Sequence, residues 1–311
     1  MPAEPRILCF GPNPALDITY ETDGVELGAS HRIETVHTRA GGKATNIARI
    51  VQALGGRARL VAPIGGHAGD VFAEDIDDSD IGLRIVAVPG ETRRSIVVVE
   101  SSDRTTLFNE AGPAWSVTVW PHLLEVLTTE VKKADAVALT GSLPPGCPPE
   151  ILAEVVQVCV ARGVPVLVDA SGEALTAAIT AGATMVKPNR TELKALTDKE
   201  GVAGCLALRG EDSDVTVVAS DGEAGLVAVS SEGTWRARPA EPAQGNPTGA
   251  GEALVAALVM GLATGKPLEE SLRLGIGSAG AAVLEPVAGR IDSEKARTLS
   301  DVAVVEAIDP E

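Results

Sequence analysis

The sequence predicts an α/β fold organised around a mainly parallel sheet, and three observations lead to that prediction. From Trp115 onward, short apolar runs alternate with stretches whose apolar residues recur at helical spacing. The runs are apolar on both faces, as strands are when helices cover both sides of a parallel sheet. In the first third, apolar and polar residues alternate instead, which is typical of strands with one exposed face. We therefore expect one large α/β domain with a smaller β-rich part.

The beginning of the chain predicts strands on both sides of a glycine turn. Residues 6–11 (RILCFG) form a short buried strand, which the turn GPNP ends. Two alternating strands follow within residues 15–38. Gly41–Gly42 then introduces a helix, because the next apolar residues share one face, namely Ile47, Ile50, Val51 and Leu54. Residues 57–65 are predicted as the next buried strand.

A hairpin completes the β-rich part. Residues 94–110 contain two strand-like runs, and the turn between them is predicted at Ser102–Asp103. We expect this part to be a small sheet formed by residues 15–38 and 91–109, attached to a single domain that spans residues 1–311.

The remainder of the chain alternates helices with strands. Apolar periodicity predicts helices at 122–134, 149–163, 173–182 and about 250–265, with a helix at 268–284 closing the fold, and strands at 135–141, 164–171, 183–189, 214–220, 224–230 and 233–240.

Composition excludes several classes of function. The formal net charge is -17 and aromatic residues make up only 2% of the chain. Strong negative charge disfavours binding to nucleic acid or acidic membranes, and few aromatic residues are present to stack on bases. The longest apolar run is too short to span a bilayer, and no signal peptide is evident at the N-terminus. We expect a cytoplasmic protein with no nucleic-acid or membrane partner.

The four cysteines predict neither a disulfide framework nor a zinc site. They are scattered along the chain without a CxxC pair or a histidine at ligand spacing, at Cys9, Cys147, Cys159 and Cys205. This arrangement indicates reduced thiols.

The segment PTGAGE predicts an anion-binding turn. Thr248, Gly249, Ala250 and Gly251 can present consecutive backbone N–H groups where a long apolar helix begins. These N–H groups and the helix dipole favour a negative group such as a phosphoryl group in transfer. A tight turn capped by the Thr248 side chain is the structural alternative.

The segment KPNRTEL predicts either a metal site or a helix cap. Asn189 ends a predicted strand, and Glu192 lies three residues further, at the start of a helix. An amide oxygen and a carboxylate on one turn can hold the water shell of Mg²⁺. The same spacing also forms a capping box.

Further polar residues are candidates for ligand contacts. Lys43 and Asn46 follow two glycines, and Arg93 lies in the β-rich part, where an arginine can bind phosphate in bidentate fashion. Each of these side chains can equally be solvated. Asp17 and Asn109 are suited either to sugar contacts or to turns, and the loop with Ser220, Gly222 and Gly225 suits either a nucleotide or a hairpin turn.

These segments occur in an order that resembles the PfkB, or ribokinase-like, carbohydrate kinases. The resemblance covers nearly the whole chain and is strongest to the branch of 1-phosphofructokinase and tagatose-6-phosphate kinase. GPNPALD, AGGKATN, NEAGP, LTGSLPPG, KPNRTEL and PTGAGE carry it. It implies a three-layer α/β/α sandwich with a mainly parallel central sheet and a small β-sheet lid. It also implies ATP-dependent phosphoryl transfer, with Mg²⁺, to a hydroxyl of a sugar phosphate of the fructose 1-phosphate, fructose 6-phosphate or tagatose 6-phosphate class.

The resemblance assigns a role to each matching position. The sugar phosphate would contact Asp17, Gly42, Lys43, Asn46, Arg93, Asn109 and Ser142. ATP would contact Lys187, Asn189, Ser220, Gly222 and Gly225, with Asn189 and Glu192 organising Mg²⁺ through water. Thr248, Gly249, Ala250 and Gly251 would form the anion hole. A homodimer through the lid is a further expectation.

Several positions depart from the family pattern. Glu252 stands where the family has an aspartate as general base, and Ala44 stands where it has a glycine. Glutamate keeps the charge but moves the carboxylate by about one bond length, and a misplacement of about 1 Å can cost ~10²-fold in rate. Three hypotheses follow: Glu252 is a working base, the protein is a weak or non-catalytic sugar- or nucleotide-binding relative, or it phosphorylates a nucleoside or cyclitol.

Overall fold

The computed structural model describes residues 4–102, 104–115, 118–211 and 213–309, and within these ranges the chain forms two β-sheets flanked by helices. The strands are β1 (Arg6–Phe10), β2 (Ala15–Thr22), β3 (Thr35–Gly41), β4 (Arg57–Ile64), β5 (Gly82–Ala87), β6 (Arg93–Glu100), β7 (Thr105–Asn109), β8 (Ala136–Thr140), β9 (Val166–Asp169), β10 (Met185–Val186), β11 (Thr216–Ser220), β12 (Leu226–Ser230), β13 (Gly233–Arg238) and β14 (Val304–Ala307).

The helices cover both faces of the larger sheet. They are α1 (Lys43–Ala53), α2 (Gly66–Asp77), α3 (Val119–Val131), α4 (Glu150–Val160), α5 (Gly172–Thr180), α6 (Arg190–Thr197), α7 (Gly201–Arg209), α8 (Ala250–Thr264), α9 (Leu268–Val283) and α10 (Ser293–Val302), with a 3₁₀ turn at Gly222–Ala224.

The larger sheet has the strand order β14-β13-β12-β11-β10-β9-β8-β1-β4-β5. From β5 to β11 all neighbours are parallel, and β12, β13 and β14 extend this sheet in antiparallel fashion. The predicted fold class, a three-layer sandwich around a mainly parallel sheet, is therefore confirmed. Parallel strands place all their carboxyl ends at one edge, which is where open α/β sheets bind ligands.

Strand β8 illustrates how side chains divide between the two layers. Ala136 and Ala138 face the core shared with α1 and α8, whereas Val137 and Leu139 face the core shared with α3 and α4. Small alanines on one face let helix α8 approach the sheet closely. Both cores are mainly aliphatic, as the 2% aromatic content requires, and one phenylalanine is buried in each, Phe72 on the α1 and α8 side and Phe10 on the α3 and α4 side.

Helix α8 is buried on all sides along its middle part. Its residues Ala253–Gly261 are all buried, and it packs against α1, α9 and β8. A helix that is apolar on every side has no face for solvent and must lie inside the protein. Its N-terminus is consequently held at a fixed position beside the carboxyl edge of the sheet.

The second sheet, called the small sheet below, consists of β3-β2-β6-β7 within the described residues. Strand β2 runs antiparallel to β3 and parallel to β6. Val36, Leu107 and Phe108 are exposed on its outer strands. The separate small sheet that the fold class includes is thus present.

The C-terminal end differs from the sequence prediction. The helix at 268–284 does not close the fold, because helix α10 and strand β14 follow it, and β14 pairs with β13. The sequence of α10 is mostly polar and buries only Ala296 and Ser300, so it lacks the apolar periodicity on which the prediction relied. Of the predicted turn Ser102–Asp103, Asp103 lies outside the described residues.

Among the described residues, no helix is long and apolar enough to cross a membrane. The four cysteines are free thiols, three of them buried and Cys147 half-buried.

Candidate active site

The candidate residues converge on the carboxyl edge of the larger sheet. Ser142 follows β8, Asp169 ends β9, Lys187 and Asn189 follow β10, and Ser220 ends β11. The parallel topology brings these distant positions together, and helix α8 adds its N-terminus at the same edge.

A buried carboxylate lies at the centre of this edge. Asp169 Oδ2 accepts a hydrogen bond from Lys43 Nζ at 3.1 Å, and Asp169 Oδ1 lies 3.3 Å from Lys187 Nζ. The Asp169 and Lys187 side chains are only 3% and 6% exposed. Burial alone would raise the pKa of Asp169, but Lys187 and Lys43 outweigh it and hold that pKa below its ordinary value. Asp169 therefore fixes two ammonium groups in place.

The predicted anion turn leads directly into α8. Gly249, with φ 96°, is the N-cap of the helix, which begins at Ala250, so Thr248 does not occupy the cap position. The Thr248 N–H donates to Asn246 Oδ1 at 3.0 Å and the Ala250 N–H donates to the Pro247 carbonyl at 3.3 Å, so these two of the four N–H groups are already bonded within the protein. A methyl group added at Gly251 would lie 4.0 Å from Lys187 Nζ, so an ammonium group lies close to this N-terminus. Helix dipole and ammonium together favour an anion here.

Glu252 lies in the first turn of α8, within electrostatic range of both lysines. Burial raises the pKa of its carboxyl group, Lys43 lowers it and Asp169 raises it again, with a net rise. The Glu252 backbone N–H and Lys187 also lower this pKa, without reversing the net rise. A carboxylate with a raised pKa beside an anion turn has the properties of a general base.

Asp17 on β2 faces the same space from the small sheet. Burial raises its pKa to about 6, against the opposing effects of Arg93, Arg39 and a hydrogen bond from the Gly42 backbone. The negative charge of Glu252 raises it further. An added methyl group at Gly41 would overlap the Asp17 carboxyl group, so only glycine fits there.

Arg93 joins the small sheet to the loop after β1. Its Nε donates to the backbone carbonyl of Asn13 at 3.1 Å and its Nη1 to that of Glu110 at 3.4 Å. Asn13 is buried, and its Nδ2 donates to the carbonyl of Ala111 at 3.0 Å and to Ser142 Oγ at 3.3 Å. Asn13 thus ties together three of the segments that carry candidate residues, a role that the sequence analysis did not assign.

The remaining sugar-side candidates differ in their surroundings. Asn46 on α1 is 4% exposed, and its Oδ1 has no hydrogen-bond partner among the described residues. Asn109 is exposed on β7, where its Oδ1 accepts a hydrogen bond from Ser95 Oγ at 2.8 Å. Ala44 lies in helical conformation with its methyl group against Gly11, so the departure from glycine causes no backbone strain.

Asn189 and Glu192 form the capping box that the sequence left as an alternative. The Asn189 N–H donates to Glu192 Oε2 at 2.8 Å, and the Glu192 N–H donates to Asn189 Oδ1 at 2.9 Å. The pair uses one carboxylate oxygen. Among the described residues no three His, Cys, Asp or Glu side chains cluster as a metal site. Glu192 Oε1, which the capping box does not use, is an oxygen of the kind that hard cations take directly or through water.

The glycines of the predicted nucleotide loop have different local roles. Gly222 has φ 55° in a 3₁₀ turn, and an added methyl group there would meet nothing within 4 Å. At Gly225, a methyl group would overlap the carbonyl of Ala237 on β13. Gly225 is thus required by strand packing, whereas Gly222 lines open space. Ser220 lies beside Asn189, with which it forms an isolated parallel bridge.

Asp17 yields a prediction that needs no ligand. Between its ordinary pKa of 3.8 and its folded value of about 6, the folded chain keeps a proton that the unfolded chain has released. The contribution of Asp17 to the free energy of unfolding is therefore greatest at low pH and is lost as pH rises through this window. Urea unfolding at several pH values should show the wild-type stability falling relative to Asp17→Asn as pH rises. A difference that stays flat or increases with pH would contradict the assignment.

Comparison with known proteins identifies the family. The model of the pfkB family carbohydrate kinases matches residues 6–295. The chain is 32% identical to ATP-dependent 6-phosphofructokinase isozyme 2 of Mycobacterium tuberculosis, over 90% of this chain and 84% of that protein. It is 29% identical to 1-phosphofructokinase of Escherichia coli, over 92% of this chain and 94% of that protein.

Solved structures agree in fold. Phosphofructokinase-2 from Escherichia coli, solved in complex with fructose-6-phosphate, superposes with a TM-score of 0.84 at 27% identity, covering 96% of this chain and 98% of that one. The same protein has been solved in a tetrameric inhibited form, with a TM-score of 0.85. The chain therefore belongs to the pfkB family of carbohydrate kinases and is a phosphotransferase.

Proposed function

We propose that this protein transfers the γ-phosphoryl group of ATP to a hydroxyl of a sugar phosphate, of the fructose 1-phosphate, fructose 6-phosphate or tagatose 6-phosphate class. The observation that carries the proposal is the position of Glu252. It lies in the first turn of α8, beside the anion turn and within electrostatic range of Lys43 and Lys187. A base, an anion site and two fixed cations are the parts that phosphoryl transfer requires.

The sugar phosphate would bind between the small sheet and helix α1. Asp17 and the backbone at Gly42 are placed to bind hydroxyl groups, and the unpaired Asn46 Oδ1 is a ready acceptor for one more. A buried acceptor without a partner is costly, so a ligand hydroxyl that donates to it adds to affinity. Arg93 would hold the substrate phosphate, with Asn109 and Ser142 beside it.

ATP would lie along the ends of β10 and β11. Ser220, Gly222 and Gly225 line that strip, and Lys187 is placed to reach a phosphate. Asn189 and Glu192 would hold Mg²⁺ through water, and the bound cation would neutralise phosphate charge during transfer. We infer that the capping box fixes the positions of the Asn189 and Glu192 side chains for the hydrated metal ion. It does not prevent the metal from binding.

In the reaction, Glu252 would accept the proton of the acceptor hydroxyl as the hydroxyl oxygen bonds to the γ-phosphorus and the bond from that phosphorus to the β,γ-bridging oxygen breaks, which releases ADP. The N–H groups of Gly249 and Gly251 and the ammonium group of Lys187 would stabilise the charge on the transferred group, because the N–H groups of Thr248 and Ala250 already bond within the turn. The raised pKa of Glu252 suits proton acceptance near neutral pH. Asp169 would keep both ammonium groups in place without touching the reacting atoms.

Two alternatives remain as outcomes of the test. A Glu252 carboxylate that stays out of reach of the acceptor hydroxyl when substrates bind would indicate a weak or non-catalytic relative. A nucleoside or cyclitol kinase would not need Arg93 for a substrate phosphate.

The identity of the base is tested by substitution at Glu252. We expect ATP turnover by the wild type with at least one sugar phosphate in the proposed class. Glu252→Gln should lower kcat by about 10²–10⁴-fold, because it removes proton acceptance. Glu252→Asp should retain activity within about 10²-fold. An inactive wild type whose Glu252→Asp variant gains activity would show that the glutamate is not a working base.

The substrate phosphate is tested by Arg93→Ala in the same assay. Loss of one charge-assisted contact should raise the KM for the sugar phosphate about 10- to 100-fold. Arg94→Ala is the matched control, because Arg94 is the exposed neighbour on the same strand. An unchanged KM for Arg93→Ala would favour a substrate without a phosphate at this position.

We propose in addition that the protein forms a homodimer through the small sheet, which would act as a lid. Strand β7 is an edge strand of that sheet, and Leu107 and Phe108 on it are 46% and 59% exposed. An exposed apolar edge strand is a template for pairing with another chain. The outer strand β3 adds the exposed Val36.

Sedimentation equilibrium tests the dimer. We expect the wild type to sediment as a dimer and Phe108→Glu to sediment as a monomer, because a buried unpaired charge opposes association. Val160→Glu places the same charge on an exposed apolar residue of α4, at 51% exposure, and should leave the dimer intact. A monomeric wild type at micromolar concentration would refute this interface.

A further inference from the structure

The end of α9 and the loop at residues 284–289 contact the segment that forms the anion turn. The backbone N–H of Asn246 donates to the carbonyl of Val283 at 2.8 Å, and Asn246 Nδ2 donates to that of Pro286 at 3.1 Å. A methyl group added at Gly249 would lie 3.1 Å from Ala288 Cα. The position of this loop therefore limits where the anion turn can lie.

Arg39 connects the small sheet to this loop. It lies on β3 directly opposite Asp17 of β2 in the strand register. Its Nη1 donates to the carbonyl of Ala288 at 3.2 Å. The side chain is partly buried, so this contact crosses the space between the small sheet and the main domain where solvent competes weakly.

We propose that Arg39 is a positioning residue that holds the small sheet, and with it Asp17, at a fixed distance from the anion turn. The contact with Ala288 transmits this constraint, because Ala288 packs against Gly249. The inference rests on the proposed function, in which Asp17 binds the sugar and the turn binds the transferred phosphoryl group. Arg39 itself touches neither reacting atom.

The positive charge of Arg39 also lowers the pKa of Asp17. The charged groups that face Asp17 are Arg93 from β6, Arg39 from β3 and Glu252 from α8. Arg39 is in turn faced by Arg49, Asp75, Asp17 and Arg290, and burial lowers its pKa to about 10, so it stays charged at neutral pH. Removing this cation leaves Arg93 and the Gly42 backbone to oppose burial and Glu252, so the pKa of Asp17 rises further above its ordinary value.

Hydrogen exchange of the ligand-free protein tests whether Arg39 holds the anion turn and the loop at 284–289 in place. Arg39→Met should raise exchange roughly tenfold at the backbone amides of 248–252 and 286–290, because one charge-assisted hydrogen bond is lost. The control is Arg273→Met, since Arg273 Nη1 also donates to a backbone carbonyl, that of Ala303, away from the site. The control should leave exchange at 248–252 unchanged. Equal exchange in wild type and Arg39→Met would overturn the proposal.

Steady-state kinetics test the consequence for the reaction. Arg39→Met should lower kcat about 10²-fold, as expected for a misplacement of about 1 Å, with a smaller change in the KM for ATP. The acidic limb of kcat/KM should move to higher pH, and Arg39→Lys should partly restore both. A loss confined to stability, with kcat and pH profile unchanged, would overturn the positioning role.

The two experiments separate failure of this inference from failure of the proposed function. A wild type that turns over no sugar phosphate removes the proposed function, whereas the exchange comparison still decides whether Arg39 supports the turn. An active wild type with unaltered exchange and kinetics in Arg39→Met would leave the proposed function in place and overturn the inference.

Discussion

The ion pairs of Asp169 with Lys43 and Lys187 are the interactions on which the candidate site depends. They join the end of β9 to the start of α1 and to the segment after β10, so three separate parts of the chain share one buried carboxylate. Such a triad is sensitive to loss of Asp169, because the buried Lys187 ammonium group would then lose its counter-charge, at a cost of about 3–5 kcal/mol. We propose that it sets the position of two cations near Glu252, and the pKa of Glu252 reflects both of them.

The fold makes this arrangement possible through topology and through small residues. Seven parallel strands end at one edge, and the buried helix α8 brings its N-terminus to that edge. Gly41 leaves room for the Asp17 carboxyl group, and Gly249 takes the positive φ that starts the anion turn. Glycine is needed at these positions because a side chain would collide or be strained. The departure at Ala44 is harmless to the backbone, whereas the departure at Glu252 changes the reach of the carboxylate that we propose as the base.

Much of the fold could be predicted from the sequence, because two-sided apolar strands and one-sided helices have different periodicities. The turn before α8 could be predicted from glycines that precede an apolar run, and the capping box of KPNRTEL from its spacing. Asp169 was not assigned a role, since an aspartate at a strand end gives no sign of which lysines it will meet. Asn13 and Arg39 were missed for the same reason: their partners, Ser142 and Ala288, are more than a hundred residues away. The polar helix α10 lacked an apolar face to detect.

The central claim is that Glu252 acts as the base beside cations that Asp169 holds in place. A structure of the protein with a sugar phosphate and a non-hydrolysable ATP analogue tests it most directly. If Glu252 is the base, we expect one of its carboxylate oxygens within about 3.2 Å of the acceptor hydroxyl oxygen, with Asp169 still bridging Lys43 and Lys187. A Glu252 carboxylate that does not reach the acceptor hydroxyl, with that hydroxyl bound by another side chain, would contradict the proposal.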